Sequence, residues 1–376
     1  MKKTLENFAQ RSSVYRMIFL TAILVTFLLV SCSDDDDASD STDDMVELTP
    51  DGPDPEWGPT ITDPMLVVVE EYQSYNIPPL QTLTPAEVRE KPTPADAAMA
   101  VIEEYNLPLP ASTVDTMGIS IPVEGGSIHS RVYTPGTGRD SYPVIVYYHG
   151  GGWVIAGIDT YNSSAEALAN QTDAIVVSVG YRQAPEFKFP TAHNDSYAAY
   201  QWVLENAESF NGDPQKVAVV GESAGGNLAA SVSLLAKSND IQLPVHEALI
   251  YPIADHDFST ESYQEYQTSL FLNAPLMQWF FDYYLNDPSE GSDPRIALVD
   301  ADLSGMPSTT IIGAEIDPLQ SEGKQLADNL EDAGVETTYR LYTGVTHEFF
   351  GMAAILPEAM DAQTVVVNNL KDAFED

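Results

Sequence analysis

Apolar and polar positions change their rhythm along this chain, and the change divides it. Met17–Val30 is an unbroken run of fourteen apolar or near-apolar residues. From Ser33 to about residue 56 apolar periodicity disappears. From Asp63 helical spacing sets in. Asp63 and Pro64 supply a cap and a first-turn proline for a helix through "DPMLVVVEEYQS". "TPAEVRE" predicts a second helix over Thr84–Glu90, and a third is predicted over Ala95–Tyr105. The period then shortens. "SIHSRVYTP", Ser127–Pro135, alternates and predicts an edge strand. Short apolar runs follow at Val144–Tyr148, Ala174–Val179, "VAVVGES", "HEALIYPI", "STTIIGAEID" and "TTYRLYTG". Helical stretches separate most of them: Ser163–Gln171, Asp195–Ala207, Ala224–Ala236, Ser321–Gly334 and Pro357–Asp372. Buried runs alternating with helices predict a mostly parallel sheet with helices on both faces. Phe258–Asp287, rich in Tyr, Phe and Met, is too long for a plain crossover and predicts a helical insertion that could roof a site. Its apolar residues Phe271, Leu272, Met277, Trp279, Phe280 and Phe281 would suit hydrophobic acyl groups or simply pack a core. There is no internal repeat.

Composition adds exclusions. Hydrophobic residues at 44% are enough to fill a large core, so the chain as a whole is not disordered. Sixteen basic residues against 57 acidic ones give a net charge of −41, which excludes a nucleic-acid partner. The single cysteine, Cys32, rules out an intramolecular disulfide and a thiolate metal site.

The first residues read as an address. Lys2, Lys3, Arg11 and Arg16 precede the apolar run, which falls short of the ~20 residues that span a bilayer. "LVSC" then leads into "SDDDD". This order resembles a bacterial lipoprotein signal: residues 1–31 removed, Cys32 lipidated, 32–56 an acidic flexible tether, and 57–376 the folded domain. The resemblance implies a lipid-anchored protein of the cell envelope. The acidic run after the cysteine resembles a signal for display on the outer surface.

Three motifs fall at strand ends, where open α/β sheets form their sites. "GESAG", Gly221–Gly225, places Ser223 at a strand-to-helix junction and matches G-x-S-x-G. Glycines flank the serine where side chains would collide, and the turn aims its hydroxyl outward near a helix N-terminus that favours negative charge. "HGGGW", His149–Trp153, lets backbone N–H groups approach a substrate oxygen. A serine also needs a base, and the base an acid that fixes its tautomer. His129, His149 and His193 precede the serine, and His246 and His256 fit poorly. His347, after the last strand, has the right place and order. Asp317 is the candidate acid; its rival, Glu315, shares the strand face but lies further inside the strand.

Together "YHGGGWV", "YRQAPE", "KFPTAHNDSYAAYQWV", "GESAGGNLAA", "DLSGMPSTTIIGAEIDPLQSEG" and "GVTHEFF" resemble the hormone-sensitive-lipase-like family of α/β-hydrolase esterases. The N-terminal "DPMLVVVEEYQSYNIPPLQTLTPAEVRE" resembles its cap helices. The resemblance implies an α/β-hydrolase fold with a helical cap, from about 57–110 and 258–287. It implies Ser223 as nucleophile, Asp317 as acid, His347 as base, and oxyanion donors from the N–H groups of Gly151, Gly152 and Ala224. The expected activity is a serine carboxylesterase acting on short- to medium-chain acyl esters of small molecules, without metal or organic cofactor. A deacetylase or amidase on the same scaffold, or an inactive binding lipoprotein, are the alternatives. Glu222, Gln183, Gln320 and Ser321 depart from the family's commoner residues, at positions expected to affect packing and substrate range.

Overall fold

A computed structural model describes residues 47–375. The signal segment and Cys32 lie outside the described residues. In chain order the elements are α1 (Asp63–Ser74), α2 (Pro85–Val88), α3 (Pro94–Tyr105), β1 (Val114–Val123), β2 (Gly126–Pro135), β3 (Tyr142–Tyr148), α4 (Asn162–Thr172) and β4 (Ile175–Val179). Then come α5 (Thr191–Asn206), β5 (Gly212–Glu222), α6 (Ala224–Ser238), β6 (His246–Ile250), α7 (Glu261–Glu265), α8 (Ala274–Tyr284), β7 (Ser308–Ile316), α9 (Gln320–Asp332), β8 (Thr337–Thr346) and α10 (Pro357–Glu375). Local signals set several boundaries. Thr84 and Thr93 each close a reciprocal capping box, with Glu87 and Asp96 respectively, and a proline follows each cap.

The eight strands form one sheet in the order β1-β2-β4-β3-β5-β6-β7-β8. β2 runs antiparallel to both β1 and β4, and every other neighbouring pair is parallel. The mostly parallel sheet is as the pattern predicts, and the architecture is the α/β-hydrolase fold that the family resemblance implies. Alternation along β3 splits the core in two. Val144, Val146 and Tyr148 face a cluster shared with α5, α6, α8 and α9. Ile145 and Tyr147 face one shared with α1, α3, α4 and α10.

Two expectations need correction. Ser127–Pro135 is not the edge: β1 lies outside it, paired from Val114↔Pro135 to Val123↔Gly126. β1 left little signal because Ile121 alone among its ten residues is buried. The acidic segment does not stay loose as far as residue 56. Leu48 is buried, and the N–H groups of Asp51 and Gly52 donate to the Glu70 carboxylate at 2.8 and 2.7 Å, which ties this stretch to α1. The two predicted cap regions meet. The Trp279 indole on α8 donates to the Leu83 carbonyl at 3.1 Å, and the Tyr72 and Phe271 rings pack edge to face at 5.0 Å.

Candidate active site

The parallel strands β3, β5, β7 and β8 all end on one edge of the sheet, and each delivers one part of the site. β5 runs into α6 through Ser223, whose backbone sits at φ 56°, ψ −120°. A non-glycine residue there is strained and persists only where its surroundings hold it. The Ser223 N–H donates to the Ile250 carbonyl at 2.9 Å, and its carbonyl accepts from Asn227 and Ile253 at 3.1 and 3.2 Å. The flanking glycines are obligatory. A Cβ on Gly221 would lie 2.0 Å from the Gly225 carbonyl oxygen, and one on Gly225 would lie 2.0 Å from that of Tyr148.

Residues 124 positions apart then meet. His347 Nε2 lies 2.9 Å from Ser223 Oγ, and His347 Nδ1 lies 2.6 Å from Asp317 Oδ2. All three are buried. The other Asp317 oxygen accepts from the Leu319 N–H at 2.9 Å, so both carboxylate oxygens are engaged. Glu315 is turned elsewhere and accepts from the Gly344 N–H at 2.6 Å. Burial alone would push the His347 imidazole down. The charge and hydrogen bond of Asp317, with Glu348 and Glu222 nearby, outweigh it, and the net shift is upward from the ordinary histidine value.

The glycine loop after β3 completes the edge. Gly151 and Gly152 sit at φ 99° and 57°. Among the described residues, their N–H groups donate to no protein acceptor. Ala224 opens α6, where the first N–H groups have no intrahelical partner. The loop is braced from outside. Arg89 donates to the carbonyls of Val154 and Ala184 at 2.9 and 2.6 Å, and Gln183 donates to that of Ile155 at 2.6 Å. Gln183 thus acts on the loop's shape, which the sequence alone did not reveal. Ser321, another departure, is tied to Ser262 through paired contacts at 3.2 and 3.1 Å, joining the segment after Asp317 to α7.

Three of the other histidines differ in kind. His149 stacks on Tyr181 at 4.3 Å, His193 bonds to Tyr284 and Asn227, and His246 bonds to Ser308 and Thr310. Burial pushes each down to about 4, so all three are neutral packing residues at neutral pH.

Sequence reasoning missed the shell around His347. The Tyr251 ring lies 4.5 Å from the imidazole, and its hydroxyl donates to Glu222 Oε2. Tyr147 donates to Glu222 Oε1 at 2.5 Å, and Tyr161 donates to Glu348 at 2.8 Å. Glu222 stood out in the sequence only as a departure from the family's commoner residue, and Glu348 only by its place after His347.

The sequence matches the profile of the alpha/beta hydrolase fold family over residues 145–351. It is 34% identical over 252 residues to an ethyl acetate hydrolase of Pseudomonas putida, covering 66% of this chain and 79% of that one. It is 40% identical over 236 residues to a carboxylesterase of Mycobacterium tuberculosis, covering 62% and 74%. Among solved structures it is similar to a hyperthermophilic esterase from Pyrobaculum calidifontis, with a TM-score of 0.71, 37% identity, and coverage of 77% and 94%. A thermostable esterase from Pseudomonas putida superposes with a TM-score of 0.77 at 29% identity, covering 84% and 98%.

Proposed function

The chain belongs to the alpha/beta hydrolase fold family and is a carboxylic ester hydrolase, and from that premise we propose that Ser223, His347 and Asp317 carry its reaction on short- to medium-chain acyl esters. The observation that supports this most directly is the hydrogen-bonded line from Asp317 through His347 to Ser223, at 2.6 and 2.9 Å.

Ser223 Oγ attacks the ester carbonyl while His347 Nε2 takes its proton. Asp317 holds the Nδ1 proton and stabilises the imidazolium that forms. The carbonyl oxygen becomes an oxyanion, which the N–H groups of Gly151, Gly152 and Ala224 receive; one such donor is worth about 3 kcal/mol of barrier. The intermediate collapses, the alcohol leaves with the proton from His347, and an acyl-serine remains. Water then attacks the acyl carbon, His347 takes its proton, and the acid departs as Ser223 Oγ recovers the proton. Ser223→Ala checks the reading: kcat on p-nitrophenyl butyrate should fall by about 10⁶-fold, and labelling by a fluorophosphonate probe should vanish. Turnover near the wild-type value in that variant would sink the proposal.

The lipid anchor is part of the same proposal. Its support is the sequence order of basic residues, apolar run, "LVSC" and acidic segment. The anchored enzyme would sit at the cell envelope, with the acidic segment favouring the outer surface. Cys32→Ser should move the protein from the membrane fraction to the soluble fraction and abolish incorporation of labelled palmitate. Unchanged membrane partition and labelling would refute an anchor on Cys32.

A further inference from the structure

Glu222 stands immediately before Ser223, yet its carboxylate turns away from the reacting atoms. Tyr147, from β3, donates to one oxygen at 2.5 Å, and Tyr251, beyond the end of β6, donates to the other. The group is buried. The Tyr251 backbone sits at φ 36°, outside the ordinary wells, and its N–H donates to Ile312 at 2.6 Å. Its ring meets the His347 imidazole at 4.5 Å with the planes tilted by 50°. Glu222, Tyr251 and His347 therefore form one packed line that reaches the ring of the base, whereas Asp317 reaches its nitrogen.

A second carboxylate closes the arrangement. Glu348 follows His347 at φ 75°, and one of its oxygens accepts from Tyr161 at 2.8 Å. The groups around the imidazole are thus Ser223 before α6, Asp317 after β7 and the Tyr251 ring after β6, with the charges of Glu348 and Glu222 beyond them. The groups facing Glu222 are Tyr147 on β3, Ser164 on α4, Tyr251 and Glu348. A cavity of about 960 Å³, with Met99 and Met352 in its walls, reaches Glu222, Glu348, Tyr161 and Ser164 but is not lined by Ser223 or His347.

We propose that Glu222 is a positioning residue for the base: clamped by Tyr147 and Tyr251, it holds the Tyr251 ring against His347 and keeps negative charge beside the imidazole. The inference rests on the esterase reading above. Burial pushes Glu222 up to about 7, while its two tyrosine donors favour the ionised form. A neighbouring anion favours imidazolium. Removing it makes the base harder to protonate and moves the acidic limb of activity to lower pH.

The test compares two substitutions in the full chain. Glu222→Gln keeps the length and removes the charge. Glu222→Asp keeps the charge and is one methylene too short to reach both tyrosines. For each, the pH profile of kcat/KM on p-nitrophenyl acetate is measured, with thermal melting as the check on folding. Glu222→Gln should shift the acidic limb down by about half a pH unit or more. Glu222→Asp should leave the limb near the wild-type position and lower kcat several-fold. A residue that only braced the turn would lower kcat in both variants and move neither limb, and that result overturns the proposal. If Glu222→Gln does not fold, Tyr251→Phe takes its place. It removes one donor to Glu222 but keeps the ring, and it should shift the limb in the same direction; a limb that stays put there overturns the proposal as well. The esterase reading fails separately, through an active Ser223→Ala.

Discussion

Gly225→Ala is a one-methyl change whose cost can be worked from the structure. A Cβ on Gly225 would sit 2.0 Å from the Tyr148 carbonyl oxygen and 2.6 Å from that of His149. Real Cβ contacts essentially never fall below 3.0 Å, so the end of β3 and the start of α6 must part by at least 1 Å. Neither is free to move. Tyr148 lies in register with Val179 of β4 on one side and Gly221 of β5 on the other. Overpacking costs 1–3 kcal/mol when side chains can yield, and a clash with sheet backbone belongs at the upper end, about 3 kcal/mol. For a folded domain of this size, with an unfolding entropy of about 0.7 kcal/mol/K, that corresponds to a melting temperature lower by about 4 °C. The glycine loop follows Tyr148 directly, so the same displacement shifts it relative to Ser223. Misplacement on the order of 1 Å lowers kcat by about 10²-fold. The assay is calorimetric melting together with steady-state kinetics on p-nitrophenyl butyrate. Gly157→Ala is the control, because its Cβ would meet nothing within 4 Å. A Gly225→Ala enzyme that melts within about 1 °C of wild type and keeps its kcat would show that the turn is not under this constraint.

Other outcomes follow from the buried charges. Asp317→Asn should lower kcat by about 10⁴-fold, and Glu315→Gln far less, because Glu315 bonds to the Gly344 N–H rather than to His347. In the wild type, kcat/KM should fall with acid around a midpoint above the ordinary histidine value, because the His347 shift is upward; a midpoint below that value would contradict the assigned surroundings of the imidazole. Glu247 is fully buried with one oxygen bonded to Thr309 and the other unpartnered, and burial pushes it up to about 7. Its folded-state pKa lies above the unfolded one. Stability is therefore greatest below the unfolded pKa and is lost as pH rises through about 7. Glu247→Gln should flatten that decline and raise stability at pH 8 by up to about 3 kcal/mol, read from urea midpoints at several pH values. An unchanged slope would refute it.

Sequence by itself determined the local and periodic part of this protein. Short apolar runs ending in glycine placed the strands and their carboxyl ends. Proline after Asp63 and after Thr84 placed two helix starts. Together they placed Ser223, Asp317 and His347 at strand ends, because a strand's period and its terminating residues are properties of neighbours in the chain. β1 escaped because an edge strand with a single buried position carries almost no alternation to read.

Tertiary structure alone decided what depends on residues far apart. The sequence already favoured Asp317 over Glu315, but the contact itself depends on how β7 and β8 align: the shifted register between Ala314 and Ile316 brings Asp317 to the imidazole and Glu315 to Gly344. The clamp of Tyr147 and Tyr251 on Glu222, the hold of Gln183 on the glycine loop, and the docking of residues 48–52 on α1 are likewise contacts across the fold. Each is a hydrogen bond whose two ends are brought within 3 Å only by sheet order and helix packing, and no pattern along one stretch of chain encodes the meeting of two.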